Sequence, residues 1–189
     1  MSFKLFRTVF FGAVLSLCFS AAAFAQSTIL VVDTQRVLRD SEVGKHIARQ
    51  LETISKSMDA EFKAKASPLE SQAKSLEAQL KGKTAQDLQG NTALQQQIKN
   101  FQADQLKVRE DGAYKQRELQ ITEAKAVQQV QTKLRDILKA LVAERNADIV
   151  LERSLVIYGD PADVTDTVIS RLNSQLRTVP VTRERLPRQ

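Results

Sequence analysis

One stretch limits what this chain can become. From Val43 to Leu80 apolar or small residues recur at Val43, Ile47, Leu51, Ile54, Met58, Phe62, Ala66, Leu69, Ala73, Leu76 and Leu80. Every step is three or four residues, so they form a single stripe along a helix, with Lys, Glu, Gln and Ser on the other faces. Such a helix is roughly 60 Å long and must pack on another helix. Gly82 supplies a C-cap and Gly90-Asn91-Thr92 a new start, with Thr92 and Gln95 as a possible capping box. A partial turn near 85–88 fits between them. A second stripe then runs back, through Leu94, Ile98, Phe101 and Val108, and later Leu119, Val127, Val130, Leu134, Ile137, Leu138 and Leu141. Between these two groups the face is interrupted, at Gln105 and Gly112. Residues 41–146 are therefore expected to be an antiparallel helical hairpin with regular ends and a compliant, Gln-rich middle.

The N-terminus is set apart by composition. Lys4 and Arg7 lead into an apolar run from Thr8 to Phe19, and Ala23-Phe24-Ala25 offers a small-x-small cleavage site before Gln26. Residues 1–25 read as a secretory signal cut between Ala25 and Gln26. An uncleaved membrane anchor or a lipoprotein signal at Cys18 are the weaker alternatives. Without these residues the chain has no cysteine, four aromatics (Phe62, Phe101, Tyr114, Tyr158) and a charge lowered from +6 to about +4. Disulfides and thiol chemistry are then excluded, and so few aromatics do not build a large core.

Outside the arm, Thr28–Val32, Ile149–Leu151 and Leu155–Tyr158 read as short strands. Asp163 or Thr165 caps a closing helix whose apolar side is Val164, Val168, Ile169, Leu172 and Leu176. Residues 26–40 and 147–179 thus form a small discontinuous body, and residues 180–189, with two prolines and three arginines, a disordered basic tail. The body is too small to stand comfortably alone, and a three-stranded sheet apolar on both faces needs a partner. Oligomerisation through Ile29, Val31, Ile149, Leu151, Val156 and Tyr158 is the simplest supply.

Few residues invite chemistry. His46 is the lone histidine, without a second metal ligand nearby, and is better read as a packing residue. Glu110-Asp111 and Asp163/Asp166 read as a solvated face and a helix start. No catalytic, metal or cofactor site is expected. Ser67-Pro68-Leu69-Glu70 resembles a helix start inside the outgoing helix, and Pro68 removes a bond to Ala64. Pro68 and Gly112 are the hinge candidates, a tolerated bend being the alternative at Pro68. Lys81 and Lys83 at the tip are either a solvated C-cap or a contact for client or anionic lipid. Met58, Phe62, Phe101 and Tyr114 are either seam residues or client contacts.

The order of these parts carries a resemblance: Ser41-Glu42-Val43-Gly44-Lys45 opening a long charged hairpin, then Ile149-Val150-Leu151, Ser154-Leu155-Val156-Ile157-Tyr158 and Asp163-Val164-Thr165-Asp166 before Leu172-Asn173. Over nearly all of the chain beyond the signal it resembles the Skp/OmpH family of periplasmic chaperones. Pro68 and the Gln-rich middle are not features the resemblance brings. It implies an α+β, mostly α fold: helical arms on a small β body that assembles as a jellyfish-like homotrimer. It also implies a non-enzymatic, ATP-independent holdase that shelters unfolded outer-membrane proteins between its arms. A structural coiled coil of the envelope is the alternative. A nucleic-acid partner is disfavoured by export and by the mixed charge of the arm.

Overall fold

The computed structural model describes residues 27–188. The signal reading, with its cleavage point at Ala23, Ala25 and Gln26, lies outside the described residues. Strand β1 (Ile29–Val32) leads into a short helix α1 (Thr34–Asp40) and then the long helix α2 (Glu42–Leu80). After a one-turn helix α3 (Ala85–Gln89), α4 (Thr92–Arg145) returns to the body, followed by β2 (Ile149–Glu152), β3 (Ala162–Asp163) and α5 (Thr165–Gln175). The hairpin of α2 and α4 is the arm read from the two stripes.

Local chemistry sets the ends. Ser41 closes α1 and opens α2, its hydroxyl accepting from the Gly44 N–H at 3.1 Å. At the tip, Gly82 takes the positive φ of 78° that ends α2. The capping box forms at Thr84 and Asp87, opening α3, and not at Thr92 and Gln95. Asn91 caps α4 through the Leu94 N–H at 3.0 Å, while the Gln95 amide donates back to the Leu88 carbonyl at 2.8 Å. Asn91, one residue before Thr92, is the stronger N-cap type, and its amide oxygen takes the free N–H.

The sheet has the order β2-β1-β3, all parallel, with Ile29 opposite Ile149 and Leu30 opposite both Val150 and Ala162. The whole arm is thus the crossover between β1 and β2. The third strand is not Leu155–Tyr158. The chain turns through a 3-10 helix at Arg153–Leu155, and Ile157 and Tyr158 are 100% and 98% exposed. The Glu152 carboxylate ends β2 by accepting from the Thr34 N–H at 3.1 Å. The free edge of β1 is taken instead by Ala162–Asp163.

The core lies where the body meets the base of the arm. Leu30, Val37, Val43, Val130, Leu141, Val168 and Leu172 are at most 1% exposed. Their burial organises the regular end of the second stripe, as its spacing predicts. No helix among the described residues is long and apolar enough to cross a membrane.

The tail departs from expectation. Residues 178–188 adopt no regular secondary structure but pack along the arm, beginning with Val179, which is 5% exposed and joins the core. Its carbonyl meets His46 Nε2 at 3.1 Å, so the lone histidine is a packing residue. The disorder read from proline and arginine content is corrected, because the arm carries matching carboxylates.

Candidate functional site

The interrupted middle of the arm is not an empty face. Along α4 the buried positions continue at the same three- and four-residue steps through Asp111, Lys115, Glu118 and Thr122 before reaching Ala126 and Val130. The stripe persists, but its side chains become polar. From α2, Glu61 and Lys65 face them. Lys65 Nζ lies 2.7 Å from Asp111 Oδ1, and Lys115 donates to Glu61. Burial of charge at a helix seam is costly without partners. Here each carboxylate has at least one, and the tail supplies several.

Arg183 enters between the helices with its side chain 16% exposed. Its Nε and Nη2 donate to Glu118 Oε2 at 3.0 and 2.8 Å, and its Nη1 to Glu61 Oε1 at 2.9 Å. The Leu186 N–H donates to Glu118 Oε1 at 3.1 Å, and the Glu184 N–H to the Thr122 hydroxyl at 2.9 Å. Arg188 reaches Asp111 Oδ1 at 2.6 Å and lies 5.9 Å from the centre of the Tyr114 ring. Asp111 Oδ2 is buried without a hydrogen bond, with Lys115 Nζ 3.7 Å away.

These contacts depress the acids. Lys115 first and Arg183 second hold the Glu61 carboxyl at about 2. Burial pushes Glu118 and Asp111 up, but Arg183 with the Leu186 N–H, and Lys65 with Arg188, outweigh it and leave both below their ordinary values. A carboxylate lowered in the folded chain stabilises it above its unfolded pKa and loses that contribution as pH falls through its folded value. The thermal midpoint, followed by circular dichroism, is therefore expected to hold from pH 7 to pH 5 and to fall between about pH 4.5 and 2. A midpoint already falling between pH 7 and 5 would contradict this assignment.

The other candidate residues are spread along the molecule. Met58 is 4% exposed in the seam, which corrects its reading as a client contact: its side chain has almost no surface to offer. Phe62, Phe101 and Tyr114 are half-buried, and Lys81 and Lys83 are exposed at the tip. Helices α2 and α4 run through Pro68 and Gly112 without a break. At Gly112 a Cβ would sit 3.1 Å from Phe62 Cε2, so the missing side chain lets the ring approach. In the body, Val31 is 1% exposed within one chain, whereas Ile29 and Ile149 are 38% and 46% exposed and Tyr158 almost wholly so.

No group of His, Cys, Asp and Glu among the described residues has the geometry of a metal site. Clefts open along the arm, among them one of about 460 Å³ lined by Pro68, Leu69, Val108, Tyr114 and Arg188, and another opens in the body beside Asp33, Thr34 and Glu152. Sequence reasoning missed Glu61, Glu118 and Arg183. Their signal was present: a stripe that keeps its spacing while changing to charge, and a basic tail to match it.

Comparison with known proteins agrees with this architecture. A family model described as outer membrane protein (OmpH-like) matches residues 28–172. No curated protein matches the chain. Among solved structures, a proposed outer membrane chaperone (OmpH-like) from Caulobacter crescentus superposes with a TM-score of 0.70 at 28% identity, over 87% of this chain and 95% of that one. The helical hairpin on a small sheet is the fold the two share, and with more than half its length matched, this chain belongs to the OmpH-like outer membrane protein family.

Proposed function

We propose that the protein is a periplasmic, ATP-independent holdase that receives unfolded outer-membrane proteins between its arms and prevents their aggregation before membrane assembly. One observation carries the reading: in a member of this family, a long helical hairpin stands out from a small body and bears its polar and half-buried apolar residues along an extended wall. A client strand exposes alternating apolar side chains and unpaired backbone groups, which template aggregation. Separation of clients by several arms removes the second partner that aggregation requires. Weak contacts spread over Phe62, Phe101 and Tyr114 would leave the client mobile and able to depart without an energy source. Lys81 and Lys83 at the tip fit an acidic client or an anionic lipid headgroup.

Enclosure needs more than one arm, so the reading includes a homotrimer joined through the body. Its support is the apolar surface that a single chain leaves open at Ile149, Leu155, Ile157 and Tyr158. The test is dilution of a urea-unfolded outer-membrane barrel into buffer while light scattering is followed. Suppression is expected at about one trimer per client, weakening as salt screens the basic protein. Scattering unchanged by the protein would favour an envelope spacer instead.

A further inference from the structure

We propose that residues 179–188 are an intramolecular strap, seated in a peptide groove of the arm, that stiffens the body-proximal half of the hairpin and leaves bending to the part beyond Asp111. The path of the segment supports this. Its anchors on α4 run from Thr122 through Glu118 to Asp111, away from the body, as the tail runs from Glu184 to Arg188. Eleven helical residues span roughly 16 Å. Four extended residues cover about 14 Å, and an arginine side chain closes the rest. The tail is therefore drawn out nearly straight and antiparallel to α4.

The groove is fitted to this occupant. Glu118 is 2% exposed, and the hydrogen bonds to its carboxylate come from Arg183 and the Leu186 N–H, all from the tail. Without the tail a carboxylate at the helix seam loses those partners. The helices alone set Glu61, Asp111 and Glu118 against Lys65 and Lys115, an excess of negative charge that Arg183 and Arg188 reverse. Pro180 and Pro187 lie at exposed positions where no N–H is needed, and they restrict the free tail toward the extended form it adopts when bound. Val179 anchors the near end in the core, and Val181 packs beside it.

The strap lies along the stretch where the buried positions of α4 are polar. Between Asp111 and Thr122 the seam is polar, and the tail ties both helices there through the single guanidinium of Arg183. Its last described residue, Arg188, lines the same cleft as Pro68. The strapped segment thus ends where α2 lacks a backbone donor. Beyond it, Leu76 and Leu94 are the buried apolar residues that remain on the two helices. Arm compliance is then set by the chain's own residues 179–188. This inference stands apart from the chaperone reading, because its test uses no client.

The experiment is hydrogen–deuterium exchange with mass spectrometry on the full chain. Three variants are compared with it: one ending at Thr182, which keeps Val179 and Val181, then Arg183→Gln and Glu118→Gln. Exchange at residues 111–125 and 55–66 is expected to rise at least tenfold on truncation, with residues 130–141 and 92–105 unchanged. Arg183→Gln alone should raise exchange in the same two segments, and in the Glu118→Gln chain it should add less than it does alone, since the two changes share the Arg183–Glu118 pair. Unchanged mid-arm exchange, an equal rise through residues 130–141, or additive effects of the two changes would each overturn the strap.

Discussion

Replacement of Gly44 by Ala is expected to cost at least about 3 kcal/mol, the upper end for overpacked sites, because the obstacle is main chain. A Cβ at this position would sit 1.5 Å from the Leu38 carbonyl oxygen and 2.6 Å from its carbon. The cause is the corner between α1 and α2, which Ser41 alone connects. Ser41 N–H donates to the Val37 carbonyl at 3.1 Å while its hydroxyl caps α2 at Gly44, so the first turn of α2 lies directly on the last turn of α1. Both turns are pinned by Val37 and Val43, each 0% exposed, and neither can retreat without opening the core. For a chain of this size the loss corresponds to a fall in thermal midpoint of roughly 6–12 °C, measured by circular dichroism. Gly90→Ala is the control. Its Cβ would meet nothing within 4 Å, and the change should stay within about 0.5 kcal/mol. If the Gly44 variant melts within 2 °C of the wild type, the corner is looser than its geometry implies.

Gly44 also shows how the sequence speaks unevenly. It stands in the Ser41–Lys45 run that carries the family resemblance, yet nothing in the run announces a carbonyl six residues upstream. The arm was legible because burial at Val43, Ile47, Leu76, Leu94, Val130 and Leu141 repeats at helical spacing. Strands β1 and β2 were legible because β-branched residues crowd them. Leu155–Tyr158 carries the same local preference, but Glu152 is drawn to Thr34, 118 residues away, and the strand stops there. Ala162–Asp163 has little intrinsic strand character and pairs because β1 offers an edge. The tail fails as a prediction for a related reason. Composition measures how poorly a segment packs with itself, whereas Arg183 finds Glu118 from 65 residues away. Polar residues at Asp111, Lys115 and Glu118 kept the stripe's spacing, and spacing was the more faithful signal there than hydrophobicity.

The second large effect is expected in the body. If the body assembles as the proposed homotrimer, the double variant Ile157→Asp, Tyr158→Asp should reduce it from the mass of three chains to that of one, read by size-exclusion chromatography with light scattering. Within one chain Ile157 and Tyr158 are 100% and 98% exposed, and Leu155 is 66% exposed. Their replacement removes no intrachain packing, so helix content should be unchanged and the measurement reads association alone. Each such side chain, once covered, contributes on the order of 1.5–3 kcal/mol, and an unpaired carboxylate in its place adds a desolvation cost. Repeated at every contact of the proposed trimer, that loss weighs against association. Gly159 follows at φ 114°, a conformation that side chains rarely adopt, and holds the loop in the shape that presents this pair to solvent. The same variant separates the two roles assigned to the chain. A lone arm with its strap intact encloses nothing, so suppression of client aggregation should disappear while mid-arm hydrogen exchange stays at the wild-type level. A variant that remains at three-chain mass would place the assembly surface elsewhere on the body.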